Sequence, residues 1–398
     1  MPRQGGAATL LYFRPGQDYR DQVDLALGGS GDQYLFWNSE GRLLRLPADA
    51  AAMPAVDVAL THIEVTQAIQ DLGQNVDLIW GKRTGVRVYV DASGADVPGV
   101  NARLYQIDAA GNVISGPIYP QANNGYLTVP RAPNRATFEL SFYFELPVQW
   151  LSTSGLRLRA EVNPNQMPLE PTYANNTMDT AMLNVQPSPT LRTVLINWGY
   201  KIGDNYYQTS INDEAGAVSW VRRSFPIASR PGGLDSPLPG FKTESRTIWA
   251  EDLAAEVMQT SNFCKGVPVP NRPFCASTYT NRYAQAMRLR EGIPITTRIY
   301  SMIRVEQRGF PETRGEGNSG NVIAGPTGPG VGDWYMGHEL GHTMELQHPL
   351  EMSGPSQCRH SGDDTDPSHY HPGLAIGLGS MWGFDVGDSA PNVSARPA

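Results

Sequence analysis

Val-Gly-Asp-Trp-Tyr-Met-Gly-His-Glu-Leu-Gly-His-Thr-Met-Glu-Leu-Gln-His-Pro-Leu occupies residues 331–350. It contains His338-Glu339-Leu340-Gly341-His342, two histidines four apart with a glutamate after the first. On an α-helix, residues four apart stand one above the other on a single face. His338 and His342 can therefore present ring nitrogens to one cation, with the Glu339 carboxylate beside them. Met336, Leu340 and Met344 recur every fourth residue on the opposite side, so the pattern predicts a helix that buries one face and offers the other. Pro349 disfavours helical geometry at the residue before it. The helix is expected to end ahead of His348, and the turn that follows could carry His348 back toward the other two rings.

H-E-x-x-H is the spacing of zinc hydrolases, in which the glutamate holds a metal-bound water and takes its proton. The longer string His338-Glu339-x-x-His342-x-x-Glu345-x-x-His348 resembles the metzincin zinc-protease signature, H-E-x-x-H-x-x-G-x-x-H. It is similar in particular to a group of bacterial secreted metzincin-like proteins, with a glycine-rich run before the zinc helix (Gly315–Gly332) and Trp382-Gly383-Phe384-Asp385 after it. The resemblance covers roughly Leu191 to the C-terminus. It implies Zn2+ held by His338, His342 and His348, with Glu339 as general base. Two departures stand out. Glu345 replaces the family's turn glycine, and is either a partner behind the ligands, an alternative third ligand or a solvated helix-end residue. Met381 is the one late candidate for the family's methionine turn; in the bacterial group that turn lies further on, so the sequence is expected to lack its natural C-terminal end.

Composition limits the other readings. The net charge of −8 and pI of about 5.4 argue against a nucleic-acid footprint. No run of eighteen apolar residues exists to span a membrane. With 41 glycines, 32 prolines and 18% charged residues, a β-rich, loop-rich protein of extracellular style is expected. The N-terminus lacks the apolar core of a signal peptide, whereas the family resemblance implies secretion or a cell-surface location; a missing N-terminal portion would reconcile the two.

Three regions follow along the chain. Residues 1–55 read as strand fragments, Leu10–Arg14, Gln22–Leu27, Gln33–Trp37 and Arg42–Leu46, and a linker. Residues 56–187 show about seven apolar runs parted by turns: Ile63–Val65, Val76–Ile79, Val86–Val90, Ala102–Ile107, Ala136–Phe144, Leu156–Val162 and Met182–Val185. This segment, with its Asn175-Asn176-Thr177 turn, resembles the immunoglobulin-like β-sandwiches of bacterial surface proteins, which implies a spacer module. Residues 190–398 alternate strand and helix. Leu191–Trp198 and Ile295–Val305 read as strands. Asp213–Ser224, Arg246–Ser261 (Trp249, Leu253 and Val257 at spacing four) and Tyr279–Arg290 read as helices. Asn321–Ala324 is expected as an edge strand open to an extended peptide. The resulting expectation is a multidomain chain: an all-β immunoglobulin-like sandwich, then an α+β metzincin-like zincin domain.

Remaining residues carry weaker readings. Cys264 and Cys275 flank a Pro-rich loop and could form a disulfide, or stay as two thiols; Cys358 is then unpaired. Asp385 could orient a ligand histidine. His360, His369 and His371, with Asp363, Asp364 and Asp366, read as a solvated loop before a second metal site, and His62 as a structural strand residue. The glycine run lacks the Gly-Lys-Ser/Thr ending of a phosphate loop. The expected function is a zinc-dependent endopeptidase acting on protein or peptide substrates. The alternative is a cell-surface adhesion or binding protein with a structural or inactive zinc site. Substrate preference and oligomeric state are not legible.

Overall fold

The computed structural model describes residues 56–121, 123–229, 234, 237–306, 313–317, 320–329, 331–344, 382–388 and 394–397, and four strands before them. The described chain is rich in β-strand, with few helices. No described helix is long and apolar enough to cross a membrane.

The first four strands are β1 (Thr9–Phe13), β2 (Val23–Leu27), β3 (Gln33–Trp37) and β4 (Arg42–Leu46). They pair antiparallel in the order β1-β4-β3-β2, at the four places where the sequence pattern puts strands.

The next region runs through β5 (Asp57–Thr66), β6 (Ile69–Gln70), β7 (Leu78–Ile79), β8 (Gly85–Ser93), β9 (Val97–Ile107), β10 (Val113–Ile118), β11 (Tyr126–Val129), β12 (Phe142–Glu145), β13 (Leu158–Val162), β14 (Thr177–Asp179) and β15 (Val185–Gln186). Two antiparallel sheets form, β12-β8-β5 and β10-β9-β13-β14, with β11 also on β9. Alternate residues point inward from each. Val58, Val65, Val86, Val88 and Val90 of one sheet meet Val100, Ala102, Leu104, Leu158, Ala160 and Val162 of the other in one core. The expected strand Ala136–Phe144 is corrected: Phe138–Leu140 is a 3-10 turn, and only Phe142–Glu145 pairs, with β8. The sequence reading lacked β6, β10, β11 and β14. β10 lies at the end of its sheet, exposed and interrupted by Gly116-Pro117, so it has no apolar alternation to betray it.

The third region contains β16 (Thr190–Ile202), β17 (Asn205–Gln208), α1 (Ile211–Ser224), β18 (Gly240–Trp249), α2 (Leu253–Val257), α3 (Asn262–Lys265), α4 (Cys275–Glu291), β19 (Thr297–Arg304), β20 (Glu316–Gly317), β21 (Val322–Thr327) and α5 (Tyr335–His342). Strands β18, β16, β19 and β21 run parallel side by side; β17 and β20 join antiparallel. One sheet face packs against α2 and α4 through Val194, Ile196, Trp198, Leu253, Ala284 and Met287. The other packs against α1 and α5 through Leu195, Val221, Phe241, Tyr300, Met336 and Leu340. Helices lie on both faces of a mainly parallel sheet; α1 lies in the connection from β16 to β18 and α2–α4 in that from β18 to β19, whereas the connection from β19 to β21 holds β20 and no described helix.

Two further expectations are corrected. Arg246–Ser261 is not one helix. Gly240–Trp249 pairs parallel with β16 over its full length, and only Leu253–Val257 is helical after it. The spacing of Trp249, Leu253 and Val257 is a coincidence across the strand–helix boundary. Asn321–Ala324 is not an edge either. β21 is buried throughout and bonded on one side to β19 and on the other to β20.

The last described strands, β22 (Trp382–Asp385) and β23 (Arg396–Pro397), pair with each other, and β22 also pairs with β6. Phe384, 2% exposed, packs on Tyr143 and Phe138, and Arg87 and Arg135 lie over the Phe384 and Trp382 rings at 5.5 and 5.4 Å. A buried phenylalanine contributes roughly 1.5–3 kcal/mol, so β22 is anchored to the sandwich region.

Candidate metal and catalytic site

Helix α5 has no side-chain cap at its start and carries glycines at 337 and 341. Propensity alone does not hold such a helix; packing does. Met336 and Leu340 are 1% and 0% exposed in the core, with half-buried Met344 against the same cluster, as the spacing of four predicts. Gly337 lies flat against the Trp220 ring of α1, where a Cβ would overlap the indole. The helix end is held by Thr343, whose Oγ1 donates to the Leu340 carbonyl at 2.7 Å and accepts from Arg298 Nε of β19 at 3.2 Å.

This packing turns His338 and His342 to one side. Their Nε2 atoms stand 3.3 Å apart, with ring planes at 87°. Two tetrahedral zinc ligands at the usual ~2.0–2.1 Å bond length are separated by about 3.3 Å, so the pair fits the first two corners of such a site. Trp334 and Tyr335 stack on each other at 5.0 Å and meet the His338 ring edge-on at 5.9 and 6.3 Å.

Glu339 is 4% exposed. Burial pushes its carboxyl up to about 8, and the nearby negative Glu316 adds to the rise. Behind it, Tyr300 is fully buried, and its hydroxyl is held far above its ordinary range by burial and then by the charges of Glu339 and Tyr335. The backbone at Gly315 runs directly against Glu339 Oε1, and a Cβ at Gly317 would lie 3.6 Å from Oε2 and 3.3 Å from the His342 Cβ. Tyr335 Oη accepts from Gly315 N at 2.8 Å.

The structure thus brings together His338, Glu339 and His342. Among the described residues, no third His, Cys, Asp or Glu ligand atom completes a cluster with the two histidines. His348, Glu345 and Met381 lie outside the described residues, as do Cys358, His360, His369, His371 and the aspartates among them. Asp385 is placed elsewhere: it pairs with Arg223 of α1 and accepts from Gly387 N at 2.9 Å, so its described partners include no histidine. His62 is an exposed residue at a β5 irregularity opposite Tyr89. Cys264 and Cys275 form a disulfide. They and Glu256 are the one described group with metal-ligand spacing, and the disulfide leaves that group without a thiolate.

Sequence reasoning did not find Tyr335, Glu316, Tyr300 or Trp220. The signal for Gly315 and Gly317 was present in the glycine-rich run, where a missing Cβ permits close backbone approach. Comparison with protein-family models, curated proteins and solved structures finds no match to the chain.

Proposed function

We propose that the chain is a zinc-dependent endopeptidase of metzincin-like type, carried behind an immunoglobulin-like sandwich and acting on extracellular protein or peptide substrates. The observation that carries this reading is the 3.3 Å separation of His338 and His342 Nε2 atoms on one helix turn, with the Glu339 carboxyl beside them. The motif's third histidine, His348, would complete the ligand set. Bound zinc would supply Lewis acidity toward the scissile carbonyl and the attacking water.

The chain's own residues do the rest. His338 and His342 offer lone pairs as neutral imidazoles and orient the ion from one helical face. Glu339 takes the proton of the attacking water on its carboxylate and delivers it to the leaving amine. Trp334, stacked on Tyr335 and edge-on to His338, shapes the approach to the histidines. The layered sheet beneath supports α5 so that these positions are held by packing.

The test pairs metal analysis with Glu339→Gln. The purified parent is expected to hold one zinc and cleave an unfolded protein substrate; the variant should keep the zinc and lose at least about a hundredfold in rate. A zinc-free parent, or a variant that cleaves at the parent's rate, refutes the assignment.

A further inference from the structure

We infer that Ser277 and Asn281 of α4 are positioning residues for Glu339, acting through the Arg314–Gly317 segment, and that the Cys264–Cys275 disulfide anchors the helix end from which they act. The inference rests on the endopeptidase reading and names how that site is held in register.

Residues 314–317 form a wall across the Glu339 carboxylate. Gly315 presses on Oε1 and on the Tyr335 ring, and Gly317 faces Oε2. A wall this close fixes where the carboxylate can sit. Its own sheet pairing is short, Glu316 with Ala324 and Gly317 with Ile323. Besides the Gly315 N–Tyr335 Oη bond, four hydrogen bonds among the described residues tie it to α4 and the loop before α4. Ser277 Oγ donates to the Arg314 carbonyl. Asn281 Nδ2 donates to the Glu316 carbonyl at 2.9 Å, and Thr278 Oγ1 to the Glu316 carboxylate at 2.7 Å. Arg314 N donates to the carbonyl of Pro273, inside the disulfide-closed loop, at 2.9 Å.

Ser277 and Asn281 are four apart on one face of α4, 0% and 3% exposed. Buried hydrogen bonds of this kind are costly to break without replacement. Cys275 is the first residue of α4, and its disulfide partner Cys264 lies in α3, capped by Ser261. The loop that carries Pro273 and the turn that carries Ser277 are therefore tied together covalently. None of these residues touches the scissile bond; they set the distance between a backbone wall and the group that moves the proton.

The experiment compares the parent with Ser277→Ala, Asn281→Ala and the double variant Cys264→Ser/Cys275→Ser. Amide hydrogen exchange of a peptide spanning 313–317 is read on metal-free protein; kcat, KM and bound zinc are read on the zinc-loaded protein. The expectation for Ser277→Ala is exchange faster by about tenfold and kcat lower by about tenfold, with KM within twofold and zinc content unchanged. Asn281→Ala gives the same pattern and carries the test should Ser277→Ala not fold. The cysteine double variant should move exchange and kcat in the same direction. An active parent whose variants exchange faster yet keep kcat overturns the positioning role alone, as do variants unchanged in both. A parent that binds zinc but cleaves nothing overturns the endopeptidase reading itself.

Discussion

The Lys82 Nζ lies 2.7 Å from the carbonyl oxygen of Phe225, and it also donates to the carbonyls of Arg222 and Arg223 at 2.8 Å. Lys82 belongs to the sandwich region; the three carbonyls close the C-terminus of α1. The last carbonyls of a helix lack intrahelical donors and favour a positive charge. One region thus caps a helix of the next, and that helix packs directly on α5. Burial pushes the Lys82 ammonium down to about 7; the three carbonyls use all three of its N–H donors, which works against that fall.

Replacing Lys82 with Met should strand these carbonyls in a buried place. We expect a loss of about 2–4 kcal/mol in stability, measured as a lower urea midpoint at unchanged slope. Arg83→Met is the comparison. Its guanidinium pairs with both oxygens of Glu145 at 2.7 Å and donates to the Gly387 carbonyl at 2.6 Å, in a partly exposed site that water can re-solvate, so it should cost less than Lys82→Met.

Gly337→Ala should separate α1 from α5. Alanine favours a helix by about 1 kcal/mol over glycine. Here its methyl would collide with Trp220, and overpacking costs ~1–3 kcal/mol. The net expectation is a lower Tm and weaker zinc binding. Adding Trp220→Leu should recover part of both, because it removes the ring that the methyl meets.

Glu339→Gln should change the pH dependence of stability in metal-free protein. The folded-state pKa of Glu339 is raised from 4.5 to about 8. Between those values the folded state holds a proton that the unfolded state has released, so this residue's contribution to stability falls as pH rises. The glutamine variant carries no such penalty. Its Tm advantage over the parent should be small at pH 4.5 and largest at pH 8, as read by calorimetry in chelator. A difference that stays flat over that range contradicts the buried carboxyl.

Zinc should raise the Tm of the parent, since a ligand bound to the folded state stabilises it by RT ln(1 + [L]/Kd), about 2.7 kcal/mol at a hundredfold excess over Kd. His338→Ala and His342→Ala should each abolish that shift. His348→Ala tests the third ligand: a full parental shift in this variant removes it from the set.

Helix α5 was legible because helical geometry maps a spacing of four directly onto one face. Met336, Leu340 and Met344 sit where that rule puts them, and His338 and His342 converge on the other side. The strands of residues 9–46 were legible for a similar local reason, apolar runs cut by turn residues. The stretch Gly240–Trp249 was not. Its residues Thr243, Glu244, Ser245, Arg246 and Thr247 are polar and lie where the strand is only partly covered, and its strand identity comes from ten registered partners on β16. Glu316 and Gly317 were illegible as a strand for the same reason: two residues carry no period, and their pairing exists only once β21 is in place.

Sequence alone determined the chemistry on offer: which side chains share a helical face and which segments alternate. These follow from local backbone geometry and need no partner. Tertiary structure decided the surroundings of that chemistry: the Gly315 backbone pressed on Glu339, Trp220 filling the space beside Gly337, Lys82 closing α1, and Asp385 committed to Arg223. Each of these joins residues far apart in the chain, and no local pattern records a contact whose two halves meet only when the layers pack.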